Sequence, residues 1–122
     1  RYAVLARLPT QHDKVLVVAS AGNTAAAFAY SCSQNQTPCL LVVPESGLTR
    51  LRFSVPLDSC VKVISLKGGS YDDAIQLANQ IAQLDRFFLE GGVKNIGRRD
   101  GIGTTLLDAV ETIGQLPNYY FQ

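Results

Sequence analysis

The sequence predicts an α/β domain, and three observations carry that prediction. Runs with strand character alternate with runs of helical periodicity through short polar connections, the pattern of βα units around a parallel sheet. Val15, Leu16, Val17 and Val18 form an unbroken aliphatic run, as in a strand covered on both faces. That run then passes through Ser20, Ala21, Gly22, Asn23 and Thr24 into Ala25 to Ala29, a small-residue turn opening an Ala-rich helix.

Each element follows in order. The first strand is expected over 15–19 and the first helix over 24–34, with residues 2–8 as the tail of a preceding helix. Cys39 opens a second strand over 39–43, which Pro44 closes, and a short helix over 48–54 ends at Pro56. The third strand is placed at 61–66, after Cys60. A helix over 71–84 follows, with Ala74, Leu77, Ala78, Ile81 and Leu84 at helical spacing on the face that meets the sheet. Tyr71, Asp72 and Asp73 fit its start, where carboxylates complement the helix dipole, and they are assigned to structure. A fourth strand at 86–89, a helix over 102–114, and a last strand beginning at Tyr119 after Pro117 complete the prediction. The architecture expected is a three-layer αβα sandwich, Rossmann-like, with a mostly parallel sheet of about four strands.

Length and composition bound what such a domain can do. The 122 residues suit one domain over 1–122 with one core. Eleven Lys and Arg against ten Asp and Glu leave a formal charge of +1, which gives no electrostatic footprint for nucleic acid. No apolar run has the length of a membrane span and no signal peptide is evident, so a cytoplasmic protein with no membrane partner is expected. Cys32, Cys39 and Cys60 are odd in number and match no zinc spacing, so reduced packing thiols are expected and no metal. His12, the only histidine, lies between Gln11 and Asp13 in a polar linker and reads as a surface residue. No Ser, His and Asp constellation supports nucleophilic hydrolysis.

The turn at Ser20–Thr24 is the first candidate site. Small residues let a ligand approach the backbone, and the first amides of the following helix point outward toward an anion that the dipole also favours. Such turns also occur at strand ends in α/β domains that bind nothing, so a non-catalytic α/β domain holding a small anion is the competing reading.

The second candidate is GGVKNIGRRDGIGTTLLDAV, residues 91–110. Gly92 and Gly97 have the spacing of a nucleotide phosphate loop, but Arg98 and Arg99 stand where Lys and Ser or Thr are required. Gly101 and Gly103 open a dinucleotide fingerprint, and Leu106 stands where its third small residue belongs. Asn95, Arg98, Gly101 and Thr104 recur at intervals of three, and a guanidinium suits a phosphate through two parallel charge-assisted bonds. Arg99 and Lys94 are neighbouring alternatives, and a solvated basic loop before a helix is the other reading of these residues.

The order Ser-Ala-Gly-Asn-Thr resembles the asparagine loop of pyridoxal-phosphate enzymes of the tryptophan synthase β fold. The resemblance implies that Ser20, Ala21, Gly22 and Thr24 hold a substrate carboxylate and that Asn23 faces the ring of pyridoxal 5'-phosphate. The spacing of Asn95, Arg98, Gly101 and Thr104 resembles the segment of threonine synthases in which an Asn and an Arg approach the substrate phosphate, which gives Asn95 and Arg98 that role. Within this family, GGVKNIGRRDG together with LPNYYFQ looks closer to cysteate synthases, which replace the phosphate of O-phosphoserine with sulfite on the way to coenzyme M. Threonine synthases, which convert O-phosphohomoserine and water to threonine, are the alternative.

The resemblance further implies that the chain is the small, substrate-side domain of a longer two-domain enzyme. The sequence opens at Arg1 and contains no Met, in keeping with a segment of a larger chain. The partners implied are a phosphorylated amino acid and the remainder of the parent, with the oligomeric state, including a homo-oligomer, left open. The lysine that carries the cofactor is expected outside 1–122. Lys14, Lys62, Lys67 and Lys94 do not sit in its context, so no catalytic residue is assigned within the chain and the isolated segment is expected to be inactive.

Overall fold

A computed structural model describes residues 13–121. The expected helix tail at 2–8 and His12 lie outside the described residues. The described residues fall into two compact units, 13–90 and 91–121.

The first unit is built on four parallel strands: β1 (Val15–Ala19), β2 (Cys39–Pro44), β3 (Val61–Leu66) and β4 (Phe87–Leu89), in the order β3-β2-β1-β4. Leu16 pairs with Cys39 and Ala19 with Val42, while Val15 pairs with Phe87 on the other side of β1. The central strands β1 and β2 are the aliphatic ones. Leu16, Val17, Leu41, Val42 and Val43 are all fully buried, which explains their lack of polar alternation.

Alternate residues face opposite layers. Val17 and Val42 pack with Ala74 and Ala78 of α2 (Tyr71–Ile81), and Ala19, Leu40, Leu77 and Ile81 close round them. The opposite face carries Leu16, Val18, Cys39 and Leu41, and α1 (Asn23–Gln34) covers it with Ala25, Phe28, Ala29 and Cys32. Cys32 of α1 and Cys39 of β2 are both buried on this face. The α/β class and the parallel sheet expected from the sequence are therefore present.

Several elements differ from expectation. The segment after β2 is a 3-10 helix, η1 (Glu45–Arg50), where an α-helix over 48–54 was expected; Pro44 directs the chain out of β2 and Leu51 is already extended. Helix α2 stops at Ile81 instead of Leu84. The next residues fold into a turn in which the N–H of Leu84 donates to Ile81, and the Leu84 side chain is exposed. The strand expected from Tyr119 is absent among the described residues.

The second unit contains η2 (Gly92–Lys94) and α3 (Ile96–Ile113). This helix begins six residues before the expected start at 102. Asn95 supplies an N-cap there, while Gly97, Gly101 and Gly103 lie inside the helix and disguise it as a loop. Gly114, at φ 78°, ends it in the left-handed conformation glycine tolerates best. The following segment returns to α3, where Tyr120 and Thr105 are joined through their hydroxyls.

Candidate functional site

Strand β1 delivers the chain to the C-terminal edge of the sheet next to β4, where consecutive connections depart in opposite directions. The first unit winds from β1 to β2 to β3 on one side and returns over the sheet to β4 on the other. In open α/β sheets this reversal leaves a crevice beyond the strand ends, the usual place for a ligand. The turn Ser20–Gly22 and the head of α1 occupy that place.

The local chemistry there is of a kind that suits an anion. No side chain caps α1 at Gly22 and no acidic residue stands in its first turn. The first N–H to bond within the helix is that of Ala26, to the carbonyl of Gly22 at 3.1 Å. The amides of the turn ahead of it head the positive end of the dipole, with the Ser20 and Thr24 hydroxyls beside them. A side-chain carbon at Gly22 would meet nothing within 4 Å. Asn23 is exposed at the first helical position.

Helix α2 begins quite differently. Ser70 Oγ accepts from the N–H of Asp73 at 3.2 Å, and an Asp73 carboxylate oxygen accepts from the Ser70 N–H and hydroxyl at 2.7 Å each. This reciprocal box satisfies the helix end from within. Those bonds, the backbone one foremost, hold the Asp73 carboxyl below the ordinary aspartate value. The two helix starts thus differ: α2 is capped by its own Ser70 and Asp73, whereas Gly22 at the head of α1 has no side chain with which to do the same.

Two contacts hold the α1 turn from outside, and the sequence reading did not find either. Tyr71 Oη donates to the carbonyl of Ala19 at 3.2 Å, across 52 positions of sequence. Gly47 of η1 is buried against Ala21, where a side-chain carbon would lie 2.7 Å from Ala21 Cβ. Neither leaves a local sequence signal, because each depends on a partner many residues away.

In the second unit, Asn95 and Arg98 are brought together by the start of α3. Asn95 Oδ1 accepts from the N–H of Arg98 at 3.1 Å, and the Asn95 carbonyl accepts from Arg99 at 3.1 Å. The expected basic loop is corrected to a helical first turn, with Arg98 half-buried at its third position and Arg99 and Asp100 exposed. Gly91 and Gly92, at φ 92° and 56°, make the bend before it. Thr104 Oγ1 donates to Gly101 O at 2.7 Å, so the last member of the motif spends its proton within the helix.

Elsewhere the described residues contain no group of three or more His, Cys, Asp or Glu able to hold a metal ion, and no helix long and apolar enough to cross a membrane. Cys32, Cys39 and Cys60 are free thiols. The neighbouring Cys32 thiol, and then burial, push the Cys39 thiol up.

The turn fits the group that the resemblance implies. Its backbone amides and the Ser20 and Thr24 hydroxyls are of the type that suits a carboxylate, and the exposed Asn23 carries a side-chain amide able to donate to a ring oxygen. The family described as Pyridoxal-phosphate dependent enzyme matches residues 1–122. Cysteate synthase of Methanocorpusculum labreanum is 47% identical over 119 residues, which cover 97% of this chain and 29% of that protein. Cysteate synthases of Methanosarcina barkeri and Methanothrix thermoacetophila are 48% and 50% identical, over 89% of this chain and 26% of theirs. The chain therefore spans between a quarter and a third of the length of these relatives.

Proposed function

The chain belongs to the family of pyridoxal-phosphate-dependent enzymes, and from that premise we propose that it is the small, substrate-side domain of a longer β-replacement enzyme of the cysteate synthase kind. The reaction proposed is O-phosphoserine and sulfite to cysteate and phosphate. The observation that carries the reading is the position of the small-residue turn Ser20–Gly22 and the glycine-capped head of α1 at the sheet's reversal point. The identity of 42% to 50% with cysteate synthases in the relatives named and others supports the choice of reaction.

Pyridoxal phosphate, when bound, supplies the electron sink that lets an amino acid lose its α-proton. The chain's own work is binding and orientation. The Ser20 and Thr24 hydroxyls and the first amides of α1 receive the α-carboxylate, with Ala21 and Gly22 small enough to let it approach. Asn23 would hold the cofactor ring through its side-chain amide. Asn95 and Arg98 receive a phosphate, for which the guanidinium offers two parallel donors. Each set of contacts contributes by orienting the group it binds and by placing positive potential where negative charge sits.

The lysine that carries the cofactor belongs to the rest of the parent chain in this reading. The phosphorylated amino acid and that remainder are its partners. A cytoplasmic setting accords with the three free thiols.

Replacing Asn23 with Ala in the full-length protein tests the assignment. The variant should fold as the parent does, because Asn23 is exposed and makes no cap. Its bound cofactor should show a displaced visible absorbance and its turnover should fall about tenfold or more, as for one lost donor at a reacting centre. Unchanged absorbance and turnover would contradict the placement of the cofactor beside α1.

A further inference from the structure

The turn that meets the ligand is only three residues long, from Ser20 to Gly22, between the end of β1 and the first residue of α1. A receptor of this kind works only if its amides are held within a fraction of an ångström of their binding positions. Ala19 lies just before the turn, and its carbonyl accepts the hydroxyl proton of Tyr71 at 3.2 Å. Ala21 lies inside the turn, and its methyl group rests on the bare Cα of Gly47. One restraint comes from the head of α2, which follows β3, and the other from η1, which follows β2.

We propose that Tyr71 and Gly47 are positioning residues that set the shape of the Ser20–Gly22 turn for binding the substrate carboxylate. The inference rests on the reading of that turn as the carboxylate site and names what gives the turn its geometry.

The chemistry of each residue supports the assignment. Tyr71 stands at the first position of α2, where its side chain does nothing for the helix end, which Ser70 and Asp73 already satisfy. Its ring is 52% exposed, so it contributes little burial, while its hydroxyl reaches back across the sheet edge to the last residue of β1. Gly47 has no positive φ to explain it. What requires glycine there is space: a methyl group 2.7 Å from Ala21 Cβ is closer than two carbons can stand. Ala21 has no flexible side chain to swing aside, so relief of the clash takes a backbone shift in the turn or in η1 packed against it.

The test compares Tyr71→Phe, Gly47→Ala and Ser20→Ala in the full-length protein loaded with pyridoxal phosphate. Three readouts are taken: KM for O-phosphoserine, KM for sulfite, and calorimetric titration with L-alanine, which carries the carboxylate but no leaving group. Tyr71→Phe should raise KM for O-phosphoserine and weaken L-alanine about three- to tenfold, the range of one lost hydrogen bond. KM for sulfite and the melting temperature should stay as in the parent, since a merely structural loss would move the melting temperature instead. Gly47→Ala should act in the same direction.

If Ser20→Ala weakens L-alanine while Tyr71→Phe and Gly47→Ala leave it unchanged, the positioning role is overturned and the carboxylate site stands. If Ser20→Ala also leaves both ligands unchanged, the carboxylate site fails and the positioning role fails with it. Should Gly47→Ala not fold, Tyr71→Phe alone decides between these outcomes.

Discussion

Asn95 Oδ1 accepts a hydrogen bond from the backbone N–H of Arg98 at 3.1 Å, so the residue proposed to meet a phosphate also closes the first turn of α3. The two roles make different demands on the side chain and can be separated. Asn95→Ala removes the cap and should cost about 1 kcal/mol of stability. Asn95→Asp keeps an equally good cap but places a negative charge where the phosphate would sit. It should keep the urea midpoint of the parent and raise KM for the phosphorylated amino acid about tenfold or more through like-charge repulsion. An unchanged KM in Asn95→Asp would leave Asn95 as a cap alone.

Arg98 is half-buried at the third position of α3, with the positive end of the helix behind it. Arg98→Ala should lower kcat/KM by about ten- to hundredfold, the range for lost hydrogen bonds to a charged group. Arg98→Lys should recover only part of that loss, because an ammonium keeps the charge and not the fork. Inhibition by inorganic phosphate gives an independent measure and should weaken in the same order. Equal phosphate inhibition in all three proteins would contradict the assignment.

The Asp73 carboxyl is held below its ordinary value of 3.8 by its bonds from Ser70. A group whose folded pKa is depressed stabilises the fold above its unfolded value and loses that contribution as pH falls through the folded one. The parent should therefore be more stable than Asp73→Asn at pH 7, and the gap between their urea midpoints should close as pH drops below about 4. A gap that persists at pH 2 would show that the carboxylate charge is not what closes the box.

Much of the first unit was legible in the sequence because each strand and helix carried its own local signal. Val15–Val18 reads as a buried strand because β1 lies between two neighbours and two helical layers. The Ser20–Thr24 turn was visible because small residues interrupt an aliphatic run just before an alanine-rich helix. The start of α3 was hidden because Gly97, Gly101 and Gly103 carry poor helix propensity, and a single cap at Asn95 outweighs them. Leu84 continued the apolar periodicity of α2 by spacing alone, although its side chain is exposed. The Tyr71 and Gly47 contacts were illegible for a different reason: each joins residues distant in sequence, and neither residue type signals its partner.

The measurement that tests the central claim most directly is phosphate release by the full-length protein with pyridoxal phosphate, comparing O-phosphoserine with and without sulfite against O-phosphohomoserine in water. The account predicts release from O-phosphoserine coupled to sulfite, with cysteate formed in equal amount. Release from O-phosphohomoserine alone, with threonine as product, would contradict the proposed reaction while keeping a phosphorylated amino acid at the α1 turn; no release from either would contradict the site itself.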